Sequence, residues 1–325
     1  MRLMSLVLAF SGLLLPVAGL AQPPTPVWID TDPSVALGGH EVDDGFALIQ
    51  AFHSPELAVR GVSVVFGNAP LETAWPIGRD IVERFGAKNI HAYKGASSAA
   101  DLGKETEASR ALEAALRKER LTILAIGPVT NVATVMKLHP ELAARVLQIV
   151  AVAGRRPGQR FVASPTQPQA FRDFNFELDP VGFQVLLDSG VPLVLAPWEV
   201  SSNVWIDRSD LNRLKGGGPD VQYLLPPALD WLDWWHDNLG LNGFNPFDTL
   251  AVGFLTSPQL FQCMNSRVGI QTAPDDVTPE AKSTLKPYLY VSSDLKSPHK
   301  VTYCYAVQPQ FKEDLFLRLL NRQKN

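Results

Sequence analysis

The sequence predicts a single α/β domain built on a mostly parallel sheet with helices on both faces. Three observations predict it. From Val27 to Ala196, short apolar runs rich in β-branched residues alternate with helical patterns. Several of those runs, such as Leu121-Thr122-Ile123-Leu124-Ala125-Ile126, are continuously apolar, as in strands covered on both faces. Chemistry-bearing residues gather where the runs end, and in an open α/β sheet that is where ligands bind.

Val27 to Ile29 is the first strand. Asp43 to His53 is the first helix, closed at Ser54-Pro55 because the residue before a proline is pushed out of the helical region. Leu57 to Phe66 is the second strand, ended by Gly67-Asn68. Leu71 to Phe85 is helical, with Pro76 expected to kink it or delay its start. Lys88 to Ala92 is a short strand, and Glu105 to Glu119 is an amphipathic helix. Leu121 to Ile126 is a buried strand that Gly127-Pro128-Val129-Thr130-Asn131 turns into another helix. Val146 to Val152 is a strand, Pro180 to Leu187 a helix, and Leu193 to Ala196 a strand. These elements make a Rossmann-like sheet. After Ser201 comes a helix-rich C-terminal excursion, broken at Gly216-Gly217-Gly218-Pro219 and carrying Trp231, Trp234, Trp235 and His236. Strands return between Phe261 and Val307, and a helix from Gln310 to Leu320 closes the chain.

Residues 1–21 have the features of a secretory signal. Arg2 precedes an apolar run, and Ala18-Gly19-Leu20-Ala21 resembles a small-residue cleavage site. The expectation is an exported protein, periplasmic or secreted, whose domain spans 22–325 and which has no membrane segment after cleavage. The formal net charge of −4 becomes −5 once Arg2 is removed, which argues against a nucleic-acid surface. The two cysteines, Cys263 and Cys304, lie in no zinc-type spacing. A disulfide and a pair of buried thiols stand as equal alternatives. No dinucleotide loop, phosphate loop or nucleophile elbow is present.

The first strand delivers Asp30 and Asp32 to its C-terminal end, and Glu41-Val42-Asp43-Asp44 follows at the start of a helix. Converging carboxylates repel one another unless a cation or a proton intervenes. Hard oxygen ligands without His or Cys point to calcium or magnesium. The competing reading is that Asp43 and Asp44 merely complement the positive end of the helix and that Asp30 is a turn residue.

Four further segments sit at strand ends: Phe66-Gly67-Asn68, Gly127 to Asn131, Asp173 to Pro180, and Asn245 to Val252. In this order, with Asp30-Thr31-Asp32-Pro33 and Asp43-Asp44, they resemble the inosine-uridine-preferring nucleoside hydrolase family. The resemblance implies that Asp32, Asp44 and Asp248 bind calcium through their carboxylates and Thr130 through its backbone carbonyl. It implies that Asp32 is also the general base, that Asp43 and Asn68 bind the ribose hydroxyls, and that Asp173 and Asn175 grip the sugar. Asp30 looks like a supporting residue. The implied activity is hydrolysis of the N-glycosidic bond of ribonucleosides to ribose and free base. The implied partners are a small-molecule nucleoside and further copies of the chain as a homo-oligomer.

The sequence departs from the family pattern at several points. Ser34 replaces a Gly, and an insertion from Val35 to Glu41 separates the acidic halves, with Gly38 and Gly39 able to let it loop out. Asp173 is one methylene shorter than the family's Glu. Gln167 stands where a substrate-binding Asn is expected, and Phe247 where many members have a His that protonates the leaving purine. Trp231, Trp234 and Trp235 share a helical face, which either packs on the core or forms a lid that stacks on the base. In the lid reading Trp231 and Trp235 contact substrate and His236 is a substitute acid. Two alternatives keep the fold: a catalytically weak or inactive periplasmic ribose- or nucleoside-binding protein, and a hydrolase of a different ribosyl compound. A metal-dependent glycosyltransferase is more distant, because nothing resembles a nucleotide-diphosphate site.

Overall fold

The computed structural model describes residues 23–165, 167, 170–277 and 284–321. The proposed signal at 1–21 lies outside them. Strand β1 (Thr25–Thr31) leads to α1 (Asp43–Phe52), β2 (Leu57–Val64), α2 (Leu71–Phe85), β3 (Ala92–Lys94) and α3 (Glu107–Lys118). Next come β4 (Leu121–Ala125), α4 (Thr130–Leu138), β5 (Val146–Ala151), α5 (Phe174–Leu178), α6 (Pro180–Asp188), β6 (Leu193–Leu195) and α7 (Trp198–Ser201). The excursion contains β7 (Ile206–Asp207), α8 (Arg208–Arg213), α9 (Pro219–Leu239), β8 (Gly243–Phe244) and α10 (Thr249–Thr256). The chain ends in β9 (Phe261–Pro274), β10 (Leu285–Val291), β11 (Lys300–Val307) and α11 (Gln310–Leu319).

Among the described residues, nine strands form one sheet in the order β10-β9-β11-β6-β5-β4-β1-β2-β3. From β3 through to β11 every neighbouring pair is parallel, and β9 runs antiparallel to β11 and β10. Strand β1 lies inside the sheet, third from the β3 edge. The chain leaves it toward β2 on one side and returns to β4 on the other, so a topological switch point opens between β1 and β4. Asp32 follows β1 there, and Gly127 to Thr130 follow β4.

Both sheet faces are covered. Val27 and Ile29 point to a core shared with Phe46 and Leu48 of α1, Trp235 of α9 and Phe311 of α11. Trp28, between them, points to the opposite core with Leu112 of α3, Val132 of α4 and Phe183 of α6. This is the two-residue alternation of a strand buried on both sides.

Two local expectations shift. The third strand lies at Ala92–Lys94 rather than Lys88 to Ala92, because only there does the chain reach the exposed edge of β2. Helix α2 starts at Leu71 and continues past Pro76. Cys263 and Cys304 face each other across β9 and β11 and are joined as a disulfide, which settles that alternative.

Candidate active site

The site begins at Asp30, which is wholly buried at the end of β1. Its Oδ1 accepts hydrogen bonds from Ser63 Oγ of β2 and from Asn131 Nδ2 of α4 at 2.8 Å. Asn131 Oδ1 in turn accepts the Ala96 N–H at 2.8 Å. Burial pushes the Asp30 carboxyl up to about 7 against those donors. Asp30 therefore ties β1, β2 and α4 together beneath the switch point and holds the next residues in place.

Asp32 is also wholly buried. Its Oδ2 accepts the Asn68 N–H at 2.8 Å, while Oδ1 has no hydrogen-bond partner. Two glycines make room for it. A Cβ at Gly67 would lie 1.9 Å from Asp32 Oδ2, and one at Gly127 would lie 2.7 Å from Oδ1. Burial first, and the Asp44 carboxylate second, hold the Asp32 carboxyl well above the usual range.

Asp43 and Asp44 open α1. Asp44 Oδ1 accepts the Thr31 hydroxyl and the Asp32 N–H at 3.1 Å, and its Oδ2 accepts Asn68 Nδ2 at 3.2 Å. Burial raises the Asp44 carboxyl to about 6 despite these donors. Asp43 Oδ2 accepts the Asp248 N–H at 3.4 Å, and its Oδ1 is buried without a partner. One carboxylate oxygen each of Asp43, Asp44 and Asp248 lies within 4.8 Å of the others. Thr130 opens α4, with its hydroxyl donated to Asp179 Oδ2 at 2.6 Å. Its side chain is thus committed elsewhere, which leaves its backbone as the group it can offer an ion.

These residues fit a hard divalent cation. The donors are oxygens, they are buried and crowded, and Asp32 and Asp43 each retain an orphaned oxygen.

Above the cluster opens a cavity of about 210 Å³. Glu41, Asp43, Asn68 and Asp248 line its floor, and Asp173 and Asn175 one side. Asp173 Oδ2 accepts the Gly154 N–H at 2.9 Å, and burial pushes its carboxyl up to about 6. Asn175 Nδ2 donates to the carbonyls of Ile126 (3.1 Å) and Val152 (3.2 Å), pinning the loop after β5 to the end of β4. The remaining wall is aromatic. Trp231 stacks on Trp234 at 4.7 Å and meets Trp235 edge-on at 6.1 Å, while Phe171 lies 5.4 Å from Trp235.

A sequence profile for the inosine-uridine preferring nucleoside hydrolases matches residues 27–310. The chain belongs to this family. It is an N-glycosidic hydrolase by that membership. Among curated relatives it is 30% identical over 280 residues to the pyrimidine-specific ribonucleoside hydrolase RihA of Klebsiella pneumoniae, covering 76% of this chain and 84% of that one. It is 29% identical over 280 residues to the enzyme of the same name from an Enterobacter species, with the same coverage of both chains. Of solved structures, a plant nucleoside hydrolase superposes with a TM-score of 0.76 at 21% identity, covering 92% of this chain and 99% of that one. A purine-preferring ribonucleoside hydrolase from Gardnerella vaginalis gives 0.73 at 19% identity, covering 92% and 99%. These likenesses establish the fold.

The hydrolase fold brings most of the expected residues together: Asp32, Asp43, Asp44, Asn68 and Asp248 in one cluster, and Asp173, Asn175, Trp231 and Trp235 on the cavity wall. Three expectations need correction. His236 does not reach the cavity. Its side chain is 62% exposed and pairs with Asp237 at 3.0 Å. One residue past Trp235 is about 100° around the helix, and that step turns His236 outward. Gln167 is buried, its Oε1 accepting the Ala163 N–H at 2.9 Å, and it is not among the cavity's lining residues. The insertion loops out only in part, with Ala36, Gly38 and His40 exposed. Val35 is wholly buried, Ser34 Oγ donates to the Glu41 carbonyl at 3.2 Å, and Leu37 packs on the cluster around Val64 and Leu71. Gly39, at φ +70°, passes so close to Trp234 that a Cβ there would sit 3.0 Å from its ring. The insertion thus carries Glu41 into the cavity wall, where burial pushes its carboxyl up to about 7.

Sequence reading missed Glu41, Phe161 and Trp198, all of which line the cavity. Trp198 carried a usable signal, since it follows the C-terminal end of β6. Glu41 was masked by its place in an insertion.

Proposed function

We propose that the chain is an exported, calcium-dependent hydrolase that cleaves the N-glycosidic bond of ribonucleosides to ribose and free base. One observation carries this reading. Asp32, Asp43, Asp44 and Asp248, drawn from both ends of the chain, converge beneath a cavity with a polar sugar side and an aromatic wall. The pyrimidine-specific names of the curated relatives support a nucleoside substrate.

Asp32, Asp44, Asp248 and the Thr130 backbone would hold the ion, with Asp43 close enough to share in it. When bound, a divalent cation neutralises the clustered carboxylates and polarises the oxygens of water and ribose hydroxyls. Asp32 accepts a proton from the attacking water through its Oδ1, which has no hydrogen-bond partner in the protein. Asn68 and Asp43 orient the ribose hydroxyls, and Asp173 and Asn175 face the rest of the sugar. As the C1′–N bond breaks, positive charge develops on the ring, and the surrounding carboxylates stabilise it. The aromatic wall excludes water and stacks on the base.

Two features support export. Residues 1–21 have the composition of a cleavable signal, and the Cys263–Cys304 disulfide suits an oxidising compartment. Incubating the purified chain with a ribonucleoside panel, in calcium and in chelator, tests the function. Release of reducing sugar that chelation abolishes is the expected result. Calorimetric binding without sugar release would leave a binding protein instead.

A further inference from the structure

Behind the cavity wall lies a buried cation, Arg155, whose side chain is 1% exposed. It follows β5, and its backbone is clamped to the outer edge of β10. Its N–H donates to the Leu289 carbonyl at 3.0 Å, and its own carbonyl accepts the Val291 N–H at 2.9 Å. Its guanidinium carbon lies 3.9 Å from the ring centre of Phe161, which lines the cavity. Nη1 donates to Asp276 Oδ2 at 2.7 Å. Nε and Nη2 have no hydrogen-bond partner, and Glu177 Oε1 stands 3.8 Å from Nη2.

An arginine kept only to staple the fold would spend its planar fork on carboxylates. That tether is already made by Lys286 of β10, whose Nζ reaches Glu177 Oε1 at 2.8 Å and Asp275 and Asp276 at 3.3 Å each. Arg155 is instead a charge with two idle nitrogens in a dry interior, where its field is weakly screened. The residue that meets this field and also opens into the cavity is Asp173. Its Oδ2 accepts the N–H of Gly154, the residue before Arg155, at 2.9 Å, and its own N–H donates to Glu177 Oε1 at 3.2 Å. Burial raises the Asp173 carboxyl, and the Arg155 charge is the largest influence opposing that rise. Glu177 of α5, Lys286 of β10 and Tyr303 of β11 face Asp173 too. The other charged groups lining the cavity, among the described residues, are Glu41, Asp43, Asp248 and Arg172, and Arg172 Nε is drawn to Glu177 at 3.3 Å.

We propose that Arg155 is a positioning residue of the hydrolysis: from behind the wall it holds Asp173 as an anion toward the sugar and backs the ring of Phe161. This rests on the hydrolase reading above and deepens it. An anionic Asp173 accepts a ribose hydroxyl and stabilises the positive charge that develops on the ring. A protonated Asp173 loses the second of these tasks.

The test compares Arg155→Met, Arg155→Lys and Asp276→Asn with the parent, all in saturating calcium. The need for an ionised Asp173 gives kcat/KM an acid limb, read on whichever ribonucleoside is cleaved fastest. Removing the Arg155 charge should move that limb up by about one pH unit. That leaves kcat/KM about 5-fold lower at pH 6 and within about 3-fold of the parent at pH 8.5. Arg155→Lys keeps the charge and should keep the limb. Asp276→Asn relieves Arg155 of its nearest anion and should move the limb down. Unfolding reads the same charge without catalysis. The fall in stability with rising pH should extend about one unit further in Arg155→Met, and adding Asp173→Asn should cancel the extension. An unmoved limb in Arg155→Met, or an equal shift in Arg155→Lys, overturns the proposal and leaves the hydrolase standing. Should Arg155→Met fail to fold, Asp276→Asn decides, and an unmoved limb there overturns it. No hydrolysis of any ribonucleoside by the parent overturns both readings.

Discussion

Asp43 and Asp248 are separated by 205 residues of sequence, yet the Asp248 N–H donates to Asp43 Oδ2 at 3.4 Å. That contact closes the carboxylate cluster, because it docks the start of α10 onto the start of α1. The C-terminal excursion therefore completes a site that the first strand begins.

Asp32 is not part of the tighter Asp43–Asp44–Asp248 group, and the proposed function gives its partnerless Oδ1 the proton-accepting role. Asp32→Asn keeps the shape and removes the base. We expect kcat to fall by roughly 10³-fold or more, with unfolding behaviour in chelator close to that of the parent. Turnover within a factor of ten of the parent would remove Asp32 from that role.

Gly67 and Gly127 clasp the Asp32 carboxylate from two sides. In Gly67→Ala the new methyl would lie 1.9 Å from Oδ2, so the carboxylate must move. The expected outcome is calcium affinity weakened at least about 10-fold by calorimetry, with the circular dichroism spectrum unchanged. Gly38→Ala, which meets nothing within 4 Å, is the matched control and should bind calcium as the parent does.

Calcium should stabilise the fold, since the crowded carboxylates repel one another without it. At 100-fold excess over its Kd, one ion adds about 2.7 kcal/mol. Melting in calcium and in chelator measures this directly. Equal melting temperatures would mean that the cluster holds no ion.

Asp173 titrates near 6 in the folded chain against an ordinary 3.8. A buried acid with a raised value is favoured in its protonated form. The native state therefore binds more proton than the unfolded state between about 4 and 6, and stability falls as pH rises through that window. The cost, complete above pH 6, is about 3 kcal/mol. At saturating calcium, Asp173→Asn should lose less stability than the parent between pH 4 and 6. Parallel stability curves would show that Asp173 is not strained by burial.

Much of the site was legible because ligand-bearing loops follow strand ends. Asp32, Asn68 and Thr130 each come shortly after an apolar run, so strand order alone suggested that they meet, whereas Asp173 stands at the end of a long loop after β5 and was legible through the family resemblance. Asp248 was legible only through its family resemblance, since its position depends on α9 and α10 folding back over the sheet. His236 failed because adjacency in sequence is not adjacency on a helix, whereas the spacing of Trp231, Trp234 and Trp235 put their shared face correctly. The insertion failed for another reason. Glycines and a broken motif suggested a loop in solvent, which holds for Ala36, Gly38 and His40 but not for Val35 and Leu37, whose apolar side chains pack inward. The antiparallel placement of β9 between β10 and β11 left no local mark, because pairing partners are chosen by the whole fold.

The bridge between Cys263 and Cys304 has a practical consequence. It staples the strand that follows α10, and α10 is the helix that presents Asp248. A recombinant host that keeps thiols reduced would yield this chain with β9 and β11 held by backbone pairing alone, on the strand that follows the helix presenting Asp248. Preparations from such a host and from an oxidising one should not be treated as the same reagent.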